Sequence, residues 1–290
     1  MSGPVITDIT DTARWVAVYR ANETARPDAL FRDPYADRLA DERGRAIAAV
    51  APPETRSGWP WVIRTRLVDD LVLASIAEGC DRVLNLAAGF DARPYRLALP
   101  AELSWIEADL PSVIDAKERI LASEKPRCTL RRERVDLTSA TARASFLSAA
   151  TYGSARALVI TEGFLTYLED DMVRSLAGDL AAQSAIRWWI SDLSSPAVRD
   201  LIRKMGARMD GAPLRFAPPN GVAFFEALGW KAREIQSLLR SAARFRRVPL
   251  ILRLLSMLPE PNPRNPGKAR WGGVIRFERP SLDAAQASGQ

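Results

Sequence analysis

The chain contains no histidine in 290 residues. That absence removes Ser-His-Asp and Cys-His catalysis, histidine-ligated zinc or iron, and imidazole acid–base chemistry. Its two cysteines, Cys80 and Cys128, are too few for a disulfide framework or a thiolate metal cage, so no metal is expected. Each reads as a small core residue in a reducing compartment. Lysine is scarce: only five of the 41 basic residues are lysine, against 35 acids. The arginines are spread along the chain among Asp and Glu, so the net charge of +6 gathers on no single face, and a nucleic-acid partner is not expected. No basic segment followed by an apolar run opens the sequence. The most apolar stretch, Pro249 to Leu258, is too short to span a bilayer and carries Arg253 in its middle. The expectation is a cytoplasmic protein without a membrane partner, with monomer the favoured state.

What is present is a long helical opening followed by alternating strands and helices. Thr12 to Thr24 is amphipathic, and Asp33-Pro34 predicts a second helix over Tyr35 to Val50, with Asp33 as N-cap and Pro34 in its first turn. A third helix is predicted from Trp59 to Glu78, closed by Gly79. From Arg82 the texture changes: 82–87 is a short apolar run that reads as a buried strand, and further strands are predicted over 103–108, 129–135, 157–161 and 186–191, with helices between them. Helices are also predicted over 196–209 and 221–228, and strands over 230–236 and 271–278. This alternation predicts a doubly wound α/β sheet of about seven strands with right-handed crossovers. Residues 1–60 are expected to form a helical cover within the same domain, 61–280 the α/β body, and 281–290 a disordered tail.

Open α/β sheets bind ligands beyond the carboxyl ends of their strands. After the first strand stands Ala87-Ala-Gly-Phe-Asp-Ala-Arg93, whose single glycine is neither a dinucleotide fingerprint nor a phosphate loop. Its small residues admit a ligand to the backbone, or simply pack strand against helix. Carboxylates follow the next three strands in turn: Asp109, Asp136 and Glu162. Gathered on one edge they repel one another unless a cation or hydrogen-bond donors compensate.

Several stretches, in this order, resemble the leucine carboxyl methyltransferase family of class I methyltransferases, including its bacterial polyketide O-methyltransferase branch. They are Arg20 to Ala36, Ile63 to Asp70, Val83 to Leu97, Glu107 to Pro111, Val135 to Leu137, and Thr161 to Leu168. The resemblance implies a Rossmann-like class I sheet with its last strand antiparallel, and S-adenosylmethionine as cofactor. It implies that Arg64, or Arg66, pairs with the methionyl carboxylate and that Ala87 and Gly89 approach the cofactor. Asp109 is implied on the ribose, Asp136 and Leu137 on the adenine, and Glu162 on the methionyl amino group. Ala87 departs from the glycine of many relatives by one methyl.

Transfer from a sulfonium is an in-line displacement in which positioning does most of the work. An anionic carboxylate acceptor needs no general base, which suits a chain without histidine; a phenol suits it nearly as well. Tyr167 and Arg20 are the residues expected to position a small anionic or phenolic acceptor. The alternatives are a protein C-terminal carboxylate as acceptor, or a methyltransferase-like module that binds without catalysis.

Overall fold

A computed structural model describes residues 6, 8–52, 55–204 and 211–279. Two long helices open it, α1 (Ile9–Thr24) and α2 (Ala36–Ala49), followed by α3 (Trp59–Ala77). The body then alternates: β1 (Arg82–Leu86), α4 (Arg93–Arg96), β2 (Ser104–Asp109), α5 (Pro111–Ile120), β3 (Thr129–Arg134), α6 (Ala140–Thr151) and β4 (Ala157–Thr161). A 3-10 turn, Leu165–Tyr167, leads to α7 (Asp170–Ala182) and β5 (Ile186–Ser194). The remainder is α8 (Pro196–Lys204), α9 (Ala223–Glu226), β6 (Lys231–Ser237), α10 (Leu238–Arg244), α11 (Leu250–Leu255) and β7 (Gly272–Glu278).

The strands form one seven-stranded sheet in the order β3-β2-β1-β4-β5-β7-β6. β1 to β5 pair in parallel, and β7 runs antiparallel to both β5 and β6. This is the Rossmann-like sheet expected, with the last strand reversed. Strand order turns back between β1 and β4, so a crevice opens at their carboxyl ends.

Successive strand residues point to opposite sides, and in the central strands both faces are buried, while the edge strands β3 and β6 stay partly exposed. Leu84, Val159, Trp189 and Ile275 face one core, which α6, α7 and α9 cover with Leu147, Leu176 and Phe225. Val83, Leu158, Trp188 and Val274 face the other, packed by Ile63, Leu67 and Leu71 of α3. α1 lies along α2, and its Tyr19 ring stacks on Trp61 with centroids 4.8 Å apart. Gly58, at φ +61°, turns the chain directly beneath Tyr19. A Cβ there would stand 2.2 Å from the ring, so only glycine fits.

Three local expectations need correction. Asp33 does not cap α2 and Pro34 lies in the turn before it; the helix begins at Ala36. Asp33 is instead buried at 1% exposure, where its carboxylate is drawn to the Arg20 guanidinium. The predicted uninterrupted helix 35–50 is broken at Asp41, whose φ is +51° and whose carboxylate accepts the amides of Arg43 and Gly44 as a fresh cap. The helix predicted over 221–228 shrinks to Ala223–Glu226. The expected tail 281–290 and the end of the helix predicted to residue 209 lie outside the described residues.

Candidate functional site

Sheet order sets the expected site residues side by side along the carboxyl edge. Asp136 and Leu137 follow β3, Asp109 ends β2, the turn Ala87 to Asp91 follows β1, and Glu162 follows β4. Neighbouring strands stand about 4.8 Å apart, so this row spans roughly 15 Å.

The turn after β1 is built from left-handed backbone. Ala87 sits at φ +53° and Gly89 at φ +48°. The Gly89 amide donates to Asp109 Oδ2 at 2.7 Å, and the Leu110 amide donates to Asp109 Oδ1 at 2.7 Å. Each carboxylate oxygen keeps lone-pair capacity for a further donor. Burial pushes the Asp109 carboxyl above its ordinary value, against the pull of those two amides. At the outer end, the exposed Asp136 carboxylate accepts from the Thr138 amide and hydroxyl, which hold it below its ordinary value. Arg143 donates to the Leu137 carbonyl at 2.8 Å and pairs with Asp179, pinning this loop to α7.

At the β1/β4 crevice the charges interlock. Glu162 Oε1 receives Arg64 Nε at 2.9 Å, and its Oε2 lies 2.7 Å from Arg93 Nη1. Arg64 Nη1 also reaches Asp192 Oδ2 at 3.0 Å, while Asp192 Oδ1 accepts the Gly163 amide. Burial alone would push the Glu162 carboxyl up; Arg93 and then Arg64 overcome it and hold the group below its ordinary value. Burial likewise opposes charge on Arg64, but Asp192 and Glu162 keep it firmly protonated. Arg93 continues inward to Asp91 at 2.7 Å and Asp69 at 2.7 Å, and Arg96 donates two bonds to Asp69.

The structure brings Arg64 into this cluster and leaves Arg66 outside it. Arg66 lies two residues on, ion-paired with Asp70 at the half-exposed side of α3. Tyr167 lies within electrostatic reach of Arg64 and Asp192 and close to Thr12 of α1; burial raises its hydroxyl pKa, so it is neutral at physiological pH. Arg20, expected on the acceptor side, is engaged with the protein's own groups at the turn after β1. It is buried at 7% exposure, with Nε on Asp33 Oδ2 at 2.9 Å and Nη2 on the Phe90 carbonyl at 2.6 Å. Its geometry ties α1 to the turn after β1, because a guanidinium removed from water must be paired.

Sequence reasoning passed over Asp91, Arg93 and Asp192. The first two lie inside the turn already singled out, two and four residues after Gly89. Asp192 was missed because the fifth strand was ended at Ser191; applied one residue further, the same rule of acids at strand ends finds it.

The edge therefore offers carboxylate acceptors at three places in line, with backbone approach between them and an arginine–carboxylate cluster at the inner end. That donor and acceptor set fits an adenosine carrying an amino-acid tail. The family model for leucine carboxyl methyltransferase matches residues 13–181. A Frankia alni protein named as a putative S-adenosyl-L-methionine-dependent methyltransferase is 34% identical over 80% of this chain and 86% of its own length. A protein of the same description from Streptomyces avermitilis is 33% identical over 80% of this chain and 86% of that one. Among solved structures, a Thermobifida fusca protein described in the same way as a methyltransferase superposes with a TM-score of 0.58. It covers 96% of both chains at 12% identity, a likeness of fold alone. On the family match, the identity across these relatives and the sheet order, the chain belongs to the leucine carboxyl methyltransferase family.

Proposed function

We propose that this methyltransferase transfers the methyl group of S-adenosylmethionine to an oxygen of a small acceptor, a carboxylate or a phenolic hydroxyl. The observation that carries the reading is the row Asp136, Asp109, Glu162 on adjacent stretches of one sheet edge. Its order matches an exocyclic adenine amine, a ribose diol and a methionyl ammonium along one extended molecule. Asp109 would accept both ribose hydroxyl protons, while Gly89 and Leu110 hold its carboxylate in place. Glu162 would take the ammonium and Arg64 the carboxylate of the amino-acid tail, each giving up part of its mutual pairing. Arg93 keeps Glu162 anionic while that exchange occurs.

The cofactor, when bound, supplies a sulfonium methyl. The chain's own contribution is to orient it and to exclude water. The first two helices serve as a cover: α1 reaches the turns after β1 and β4 through Arg20 to the Phe90 carbonyl and Thr12 to Tyr167. Residues 1–60 are accordingly read as part of the domain of residues 61–280, and not as a unit apart. Tyr167 is the residue assigned to the acceptor, its neutral hydroxyl donating to an anionic oxygen. Such an acceptor already carries its negative charge, so no base is needed.

Calorimetric titration tests the cofactor assignment. S-adenosylhomocysteine is expected to bind and NADH to give no heat; the reverse would overturn it. Labelled-methyl transfer to a panel of carboxylic acids and phenols tests the acceptor class, and labelling only of amines or thiols would refute O-methylation.

A further inference from the structure

Among the described residues, the large apolar side chains left in solvent are concentrated in one segment. In and just after α11, Leu250 is 62% exposed, Ile251 63%, Leu254 54%, Leu255 47%, Met257 79% and Leu258 58%. At 100° per residue, positions 250, 251, 254 and 255 share one side of the helix, while Leu252 turns inward to the core under the sheet. An isolated exposed leucine needs no explanation, but a contiguous face of this kind does. From Ser237 to Pro259 the chain has five arginines and neither Asp nor Glu. Arg244 and Arg246 are exposed and form no ion pair among the described residues. Pairing register places Ser237, Ser194 and Gly272–Gly273 together, so α10 starts at the carboxyl edge of the sheet that bears the site, and the Ser237–Glu260 hydrogen bond returns the chain to that edge after α11.

We propose that the outward face of α11, together with Arg244 and Arg246 at the end of the α10 that packs on it, docks on the surface of an anionic lipid bilayer. An apolar helical face bordered by arginines inserts shallowly at the headgroup boundary, and the arginines meet the negative surface potential. No helix among the described residues is long and apolar enough to cross a membrane, so the contact is interfacial. A second copy of this chain is the poorer occupant. Arg240 and Arg247 are already held by Glu260 and Glu23, but a two-fold contact through this face would bring Arg244 and Arg246, which form no ion pair among the described residues, towards their own copies. This departs from the expectation of no membrane partner, which rested on the opening of the sequence and on spanning length. It also fits an amphiphilic acceptor delivered to the adjoining site edge, but it stands independently of the methyl-transfer reading.

The test is co-sedimentation of the full-length protein with vesicles of phosphatidylcholine alone, or with about one third phosphatidylglycerol. Binding is expected only to the anionic vesicles and is expected to weaken as salt shortens the screening length. The double variant Ile251→Asp/Leu254→Asp and the double variant Arg244→Glu/Arg246→Glu are each expected to lower partition by roughly tenfold or more. A cofactor-product titration of each variant shows whether the sheet remains intact. Absence of binding to anionic vesicles would overturn the proposal, as would binding that both folded variants retain. A dimer in sedimentation velocity that the Ile251→Asp/Leu254→Asp variant dissolves would also overturn it, assigning the face to a second copy. Loss of cofactor-product binding by the unaltered protein would count against the methyl-transfer reading and leave the docking result untouched.

Discussion

Arg93 Nη1 lies 2.7 Å from Glu162 Oε2, and this one contact joins the turn after β1 to the turn after β4 across the point where strand order reverses. Arg93 is 2% exposed and also serves Asp69 and Asp91, so three carboxylates depend on it. Replacing it with an uncharged side chain takes from Asp91 its arginine partner and leaves Glu162 to Arg64 and Asp69 to Arg96 alone. Arg93→Met is expected to cost about 3–5 kcal/mol, read as a lowered urea midpoint without cofactor. A change below about 1 kcal/mol would show that the cluster reorganises around water.

On the proposed cofactor reading, Asp109→Ala would remove two charge-assisted hydrogen bonds to a ribose, and it removes the acceptor that holds the Gly89 amide. The affinity for S-adenosylhomocysteine is expected to fall by one to two decades, or about 1.5–3 kcal/mol. Calorimetry on folded variant checks this. Unchanged affinity would remove Asp109 from the ribose.

Ala87 holds a left-handed conformation, at φ +53°, that its methyl disfavours. Ala87→Gly relieves a strain of about 1 kcal/mol, offset in part by the freer unfolded chain. The thermal midpoint is expected to stay level or rise by about 2 °C, with cofactor affinity unchanged or tighter. A fall of several degrees would mean that the methyl packs productively.

Acid should weaken the fold through the crevice. Glu162 and Asp91 are both held below their ordinary values of 4.5 and 3.8, because their arginine partners outweigh burial. Their stabilisation is therefore complete above those values and is lost as pH falls through the lower folded ones. Asp109 runs the other way: raised by burial, it takes stability away as pH climbs from 3.8 through its folded value. Urea midpoints measured between about pH 7 and pH 3 should fall with acid, and Glu162→Gln should flatten that slope. An unaltered slope in Glu162→Gln would show that its pairing contributes nothing.

Arg20 distinguishes a structural tie from an acceptor contact. Asp33 has a side chain of 0% exposure, and after Arg20→Met its nearest remaining cation is Arg96 at 3.8 Å. A stability loss of about 3 kcal/mol is expected, with the acceptor KM of the folded enzyme unchanged. A raised KM at full stability would return Arg20 to the acceptor.

The parts of this protein legible in its sequence were those written in local patterns. Short apolar runs and their alternation with helices located the strands, and acids immediately after them located Asp109, Asp136 and Glu162. Such features depend on neighbours a few residues away, so a one-dimensional reading suffices. The rest depended on partners distant along the chain. Arg64 and Glu162 are 98 residues apart, and Arg20 and Phe90 are 70 apart. Nothing local to either arginine says which carboxylate or carbonyl will satisfy it. Asp33 looked like a cap because caps are local, yet burial beside Arg20 outweighed capping. The apolar run 249–258 was legible only as too short to span a bilayer, and the packing of α11 decided which of its side chains stay in water. Charges and apolar faces are interchangeable along a chain, and desolvation in the folded molecule determines which of them must be paired.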